Sequence, residues 1–288
     1  MGPMSGLRLL ACFAHPDDEA FPVGGVLAGS ASRGVEVRLV TATSGEEGEI
    51  RRPNLATPAT LGLVRRQELA ASVQALGLAG HQVLGYRDSG MAGSAANANP
   101  AAFINAPELA VVERLVAEIR RFRPQVVLTF EPGGLYGHPD HIAISRHATV
   151  AFRMAADPTA FPAQLGNGVG PHQSQRLFYS ARPVGFRMQM ALRLRMAGVD
   201  FPLPAPERVN DGVPAEQIHL ELDVSPHLEA KMACIQCHQS QVALDWPYRR
   251  VPRGVAAAIL GREHYIRAWP PVGAAEKVPT DFFAGLAQ

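Results

Sequence analysis

LRLLACFAHPDDE, Leu7 to Glu19, is the stretch that decides the fold. Leu7 to Phe13 is a short apolar run that stops at a polar loop, which is how a strand buried in a parallel sheet reads. A second such run, Glu36 to Ala42, follows a turn at Gly34. Val23 to Arg33, between the two, is then a crossover helix, and the chain opens as a βαβ unit. Leu61 to Leu76 continues with apolar residues at helical spacing until Gly77 ends the turn. Gln82 to Tyr86 reads as a third strand, Pro107 to Phe122 as an amphipathic helix, and Gln125 to Phe130 as a fourth strand rich in Val, Leu and Thr. The expectation is an α/β fold: a Rossmann-like, mostly parallel sheet flanked by helices. In such sheets ligands gather beyond the carboxyl ends of the strands, so the loops after residues 13, 42, 86 and 130 are where chemistry should collect.

Beyond about residue 155 the pattern loosens, with Pro158 to His172 and Phe201 to Pro214 rich in Gly and Pro. Leu177 to Ser180 and Ile218 to Val224 read as further strands, Gly185 to Ala197 and Pro226 to Val242 as helices. Residues 1–155 are expected to form the catalytic core. Residues 156–288 are expected to be a C-terminal elaboration completing the same domain and its substrate pocket.

Across 288 residues, 27 Lys and Arg nearly balance 26 Asp and Glu for a formal charge of +1. With no run of like charges, a nucleic-acid footprint or anionic-membrane patch is not indicated, and a small-molecule substrate is. Neither an export signal nor a membrane-spanning stretch is read, so the expected location is cytoplasmic. Three cysteines, Cys12, Cys234 and Cys237, suit a reducing compartment better than a disulfide framework.

AHPDDE, Ala14 to Glu19, follows the first strand and YGHPDH, Tyr136 to His141, follows the fourth. Imidazole and carboxylate are ligands that zinc accepts, and three protein ligands leave a coordination position open, as catalytic sites do. His15 and Asp18 sit three apart across a proline, close enough to converge on one ion, and His141 closes the triad from the second loop. Asp17, adjacent but not needed for coordination, is left free as general base. The same nitrogen and oxygen ligands accept ferrous iron as well as zinc.

At these residues the sequence resembles the PIG-L or LmbE-like N-acetylglucosaminyl deacetylases, closest to those of mycothiol and bacillithiol metabolism. The likeness runs over residues 7–155 and takes in TSGEEGE (Thr43 to Glu49), RRQE (Arg65 to Glu68) and RDSGM (Arg87 to Met91). It implies His15, Asp18 and His141 as zinc ligands and Asp17 as base. It further implies that His138 is a cation over the oxyanion and the leaving amine, that Tyr136 is a second oxyanion donor, and that Arg65 and Asp88 bind the sugar. Glu46 and Glu47, on the ligand side of the sheet, orient His138 or a sugar hydroxyl, or else simply solvate a glycine-rich loop.

The function expected is removal of the acetyl group from an N-acetylglucosaminide. Its neighbour is an amidase acting on thiol conjugates of the same sugar, and its rival from another class a non-catalytic sugar- or metal-binding module. CIQCH, Cys234 to His238, spells a haem-attachment signature but lies within a helical pattern, so its cysteines are expected as small packed side chains, with a second metal site as the alternative. Gly24 and Gly25 belong to no phosphate-binding fingerprint. Phe186 to Ala197 reads as a surface helix or as a contact within a homo-oligomer.

Overall fold

The structure, a computed structural model, describes residues 4–273 and 280–286. β1 (Arg8–Phe13), β2 (Glu36–Thr43), β3 (Gly80–Tyr86) and β4 (Val126–Phe130) form at the apolar runs, with α1 (Gly24–Ser32), α2 (Leu61–Ala75) and α3 (Glu108–Phe122) crossing between them. β1 and β4 are buried almost throughout, as central parallel strands are. A short kinked turn, α4 (Gly134–Gly137), leads into α5 (Pro139–Met154). Then follow β5 (Arg176–Ala181), α6 (Phe186–Met196), β6 (Leu220–Asp223), α7 (Leu228–Cys237), α8 (Arg253–Leu260) and β7 (Arg262–Trp269).

Among the described residues the strands make one sheet in the order β3-β2-β1-β4-β5-β7-β6. The first five are parallel and β7 runs antiparallel to both its neighbours. The order reverses between β1 and β4, the switch point at which open sheets leave a crevice. Leu9 pairs with Val126, so the strands end level, and the rings of Phe13 and Phe130 meet edge-on at 4.7 Å directly beneath the two His/Asp loops.

Two helices show how packing overrides local preference. α1 carries three glycines, which cost a helix about 1 kcal/mol each relative to alanine. A Cβ on Gly25 would lie 2.4 Å from Val224, and one on Gly29 2.7 Å from His227, so only glycine lets the helix approach the segment leading to α7. In α3, the fully buried Arg120 donates to the carbonyls of Ala155, Asp157, Ala160 and Phe161, giving the glycine- and proline-rich loop that follows α5 a fixed path. No described helix is long and apolar enough to cross a membrane.

Candidate metal centre

Three donor atoms converge at the switch point. His15 Nδ1 lies 3.2 Å from His141 Nε2, His141 Nε2 lies 3.2 Å from Asp18 Oδ1, and His15 Nδ1 lies 3.6 Å from Asp18 Oδ2. Zinc ligands at about 2.0–2.1 Å in a tetrahedron stand about 3.3 Å from one another, so the spacing is that of a coordination triangle. The surroundings of His15 fit a ligand role. His15 Nε2 faces Asp140 Oδ2 at 3.1 Å and Asp88 Oδ1 at 3.5 Å, so it carries the proton and Nδ1 presents a lone pair toward His141 and Asp18. Phe130 stacks on the His141 ring at 4.1 Å and fixes its plane. Lone pairs aimed at one buried point call for a cation between them, and this donor set fits a divalent ion.

The loops are built for this convergence. Asp18 Oδ2 accepts the backbone N–H groups of Ala14 and His15, closing the first loop on itself. Burial raises the Asp18 pKa, yet the facing His141 and His15 outweigh it and hold the carboxyl well below its usual range. In the second loop His138 is the N-cap of α5, its Nδ1 accepting from Asp140 N at 3.2 Å, with Pro139 at the first helical position. That cap brings His141 one turn down onto the site and sets Asp140, fully buried, behind His15.

Asp17 stands apart from the triad. Its φ of +101° is a conformation side-chain-bearing residues rarely adopt, and such strain collects at functional sites. Its N–H donates to Glu19 Oε2 at 2.9 Å, and its Oδ2 meets Arg65 Nη2 at 3.1 Å. Burial raises its pKa against the pull of Arg65, which makes it a better base than a free carboxylate.

The remaining expected residues fall into two groups. Tyr136 packs its ring edge-on against His141 at 5.0 Å, and burial, with Asp18 next in effect, raises its pKa so that the hydroxyl stays a donor. His138 has its Nδ1 engaged as the cap of α5, and burial, then His15 and His141, lower its pKa. Arg65, Asp88 and Glu47 have protein partners. Arg65 is buried, donating to Gly45 O, Pro16 O and Asp17. Asp88 Oδ1 accepts from Gly90 N and faces His15, while its Oδ2 accepts from Glu47 N. Glu47 pairs with Arg87, and Glu46 accepts from the backbone of Asp88. A sugar contact by any of these must share or replace those bonds.

Three contributors escape the motif reading: Asp140 behind His15, Glu19 beneath Asp17, and His238, whose Nε2 lies 2.5 Å from Glu19 Oε1. Asp140 and Glu19 are letters of HPDH and AHPDDE and could have been weighed as orienting groups; His238 sits within CIQCH. The second metal site that the sequence offers, Cys234, Cys237 and His238, does not form as a group: the donors within 4.8 Å of one another are Glu19, Cys234 and His238, and Ser72 bonds both Glu19 and Cys234.

Comparisons with known proteins give the family. The family model described as GlcNAc-PI de-N-acetylase matches residues 10–152, both loops included. A protein of Thermobispora bispora named 1D-myo-inositol 2-acetamido-2-deoxy-alpha-D-glucopyranoside deacetylase is 36% identical over 98% of this chain and 100% of its own length. One of the same name from Streptomyces avermitilis is 39% identical over 97% of each. Among solved structures, N,N'-diacetylchitobiose deacetylase from Pyrococcus horikoshii superposes with a TM-score of 0.63 at 20% identity, covering 90% of this chain and 83% of that one. A 4-carboxy-2-hydroxymuconate hydratase of Pseudomonas putida reaches 0.61 at 20% identity over 93% and 98%, so the fold by itself does not select the reaction.

Proposed function

This chain belongs to the GlcNAc-PI de-N-acetylase family, and from that premise we propose that it removes the acetyl group of an N-acetylglucosaminide, with the inositol glycoside named for its relatives as the first candidate. The observation carrying this reading is the triangle of His15, Asp18 and His141 at 3.2–3.6 Å beside a strained, basic Asp17.

His15, Asp18 and His141 would hold zinc, for which ferrous iron is an acceptable substitute. When bound, the ion supplies Lewis acidity, lowering the pKa of a water and polarising the acetamide carbonyl. Asp17 takes the proton of the attacking water, its raised pKa matching that task. The Nε2–H of His138 and the hydroxyl of Tyr136 donate to the developing oxyanion, a contribution of about 3–4 kcal/mol per donor in comparable sites. The proton held on Asp17 is then available to the departing amine, so acetate and a free glucosamine leave with protons balanced. Arg65 and Glu19 hold Asp17 from either side, and Asp140 and Asp88 hold His15.

Amine release from N-acetylglucosaminyl inositol, by protein stripped with a chelator and then reloaded with zinc or ferrous iron, tests the reading. The stripped protein should be inactive and the reloaded protein active. Silence of the fully loaded protein, or undiminished activity after stripping, would overturn it.

A further inference from the structure

Beside the metal centre lies a cavity of about 400 Å³. Its lining includes Phe21, on the loop that carries Asp17 and Asp18, and Leu135, the neighbour of Tyr136, together with Phe186, Trp246 and Tyr248. Such walls are more apolar than a polyol requires.

Four cationic side chains also line it. Arg51 pairs with Glu49 at 2.7 Å, Lys231 with Glu263 at 2.7 Å, and Arg262 with Glu221 and Asp223 at 3.5 Å. Arg182 differs. Among the described residues its guanidinium has no hydrogen-bond acceptor or carboxylate partner and rests over the Phe186 ring at 5.6 Å. Asp211, the carboxylate that acts on it electrostatically, is engaged by Arg187 at 4.0 Å. Burial, with Arg187 adding to it, pushes the Arg182 pKa down to about 10, the mark of a cation short of both water and counter-charge. It also lies within electrostatic reach of Tyr136. A half-buried guanidinium against apolar walls is a fork for a carboxylate or similar oxyanion, which would restore the hydrogen bonds that burial removed.

We propose that this cavity is a substrate subsite in which Arg182 reads an oxyanion carried on an apolar body attached to the amide-bearing sugar. The inference rests on the hydrolase reading above and adds a substrate class to it: amides of glucosamine bearing an acidic, apolar substituent, placed on either the aglycone or the acyl group. The two placements share one chemistry and are separable by experiment.

Amine release is measured for wild type, Arg182→Met and Arg182→Lys on two matched pairs of substrates. Phenyl and 4-carboxyphenyl N-acetylglucosaminide probe the aglycone, and N-butanoyl and N-succinyl glucosamine probe the acyl group. In one arm the carboxylated member should be preferred in kcat/KM by about tenfold or more. Arg182→Met should erase that preference while cleaving N-acetylglucosamine within about twofold of wild type, and Arg182→Lys should retain part of it. Equal rates within both pairs, or a preference that survives Arg182→Met, overturns the subsite. A calorimetric arm keeps the two readings apart: 4-carboxyphenyl glucosaminide, an amine that needs no hydrolysis, should bind wild type more tightly than phenyl glucosaminide and lose that advantage in Arg182→Met. Absence of amine release from every N-acetylglucosaminide sinks the hydrolase reading instead, while binding still reports on Arg182.

Discussion

His238 Nε2 lies 2.5 Å from Glu19 Oε1, and neither side chain has any exposed surface. The other oxygen of Glu19 accepts the N–H of Asp17, so a residue at the end of α7 braces the proposed base through one intermediary. Burial opposes charge on both partners, but each outweighs it for the other, lowering the pKa of Glu19 and raising that of His238. His238→Ala strands a buried carboxylate and should cost about 3–5 kcal/mol of stability. His238→Gln, which restores a donor, should fold better and serve for kinetics. The expected result is a kcat lowered about tenfold to a hundredfold with KM and metal content unchanged. An unaltered kcat in both variants would show that the brace does not reach Asp17.

Asp17 can be separated into its carboxylate and its backbone. Asp17→Ala and Asp17→Gly both remove the base and should both abolish turnover while retaining metal, whereas His15→Ala should lose it. Because φ is +101° here, glycine should be the more stable of the two, by about 1 kcal/mol in denaturant unfolding. Equal stability would mean that the strain relaxes without cost.

How much of this was legible in the letters follows from what each segment buries. β1, β2 and β4 and the helices α1 and α3 are largely apolar where they are buried, so their periods are readable, whereas α2 buries Arg65, Glu68 and Ser72 alongside Leu61, Leu69 and Val73. β7 was not expected, because its inward positions are Glu263, Tyr265 and Arg267 and its outward ones include Ile266 and Ala268, inverting the pattern that marks a half-buried strand. α5 was missed for the same reason: Asp140, His141, Ser145 and His147 are among its buried residues. The two His/Asp loops were legible because each is contiguous in sequence. The brace through Glu19 and His238 joins residues 219 apart, and only the folded chain brings them together.

Gly45 offers a test of how Arg65 is held. Its φ is +70°, and a Cβ there would fall 2.2 Å from Arg65 Nη1, the nitrogen that donates to Gly45 O. Gly45→Ala should therefore displace the guanidinium from Asp17 and reproduce Arg65→Met: kcat down about a hundredfold, KM changed little, metal retained. A rise in KM alone would instead place Arg65 at the sugar.

His147, on α5 and remote from the chemistry, gives the pH prediction. Its ring is buried against Phe103 at 5.6 Å, and burial, with Arg146 next in effect, pushes its pKa down to about 4. The unfolded chain, with the ordinary value of 6.5, takes up a proton over a range where the folded chain does not. Stability from this residue is thus fully present above pH 6.5 and falls as pH drops toward 4, by on the order of 3 kcal/mol across the window. His147→Phe keeps a ring on Phe103 but cannot titrate. Denaturant midpoints measured at fixed ionic strength should converge on, then cross, those of wild type as pH falls from 7 to 4. Parallel profiles for the two proteins would show that His147 protonates in the fold as readily as in the open chain.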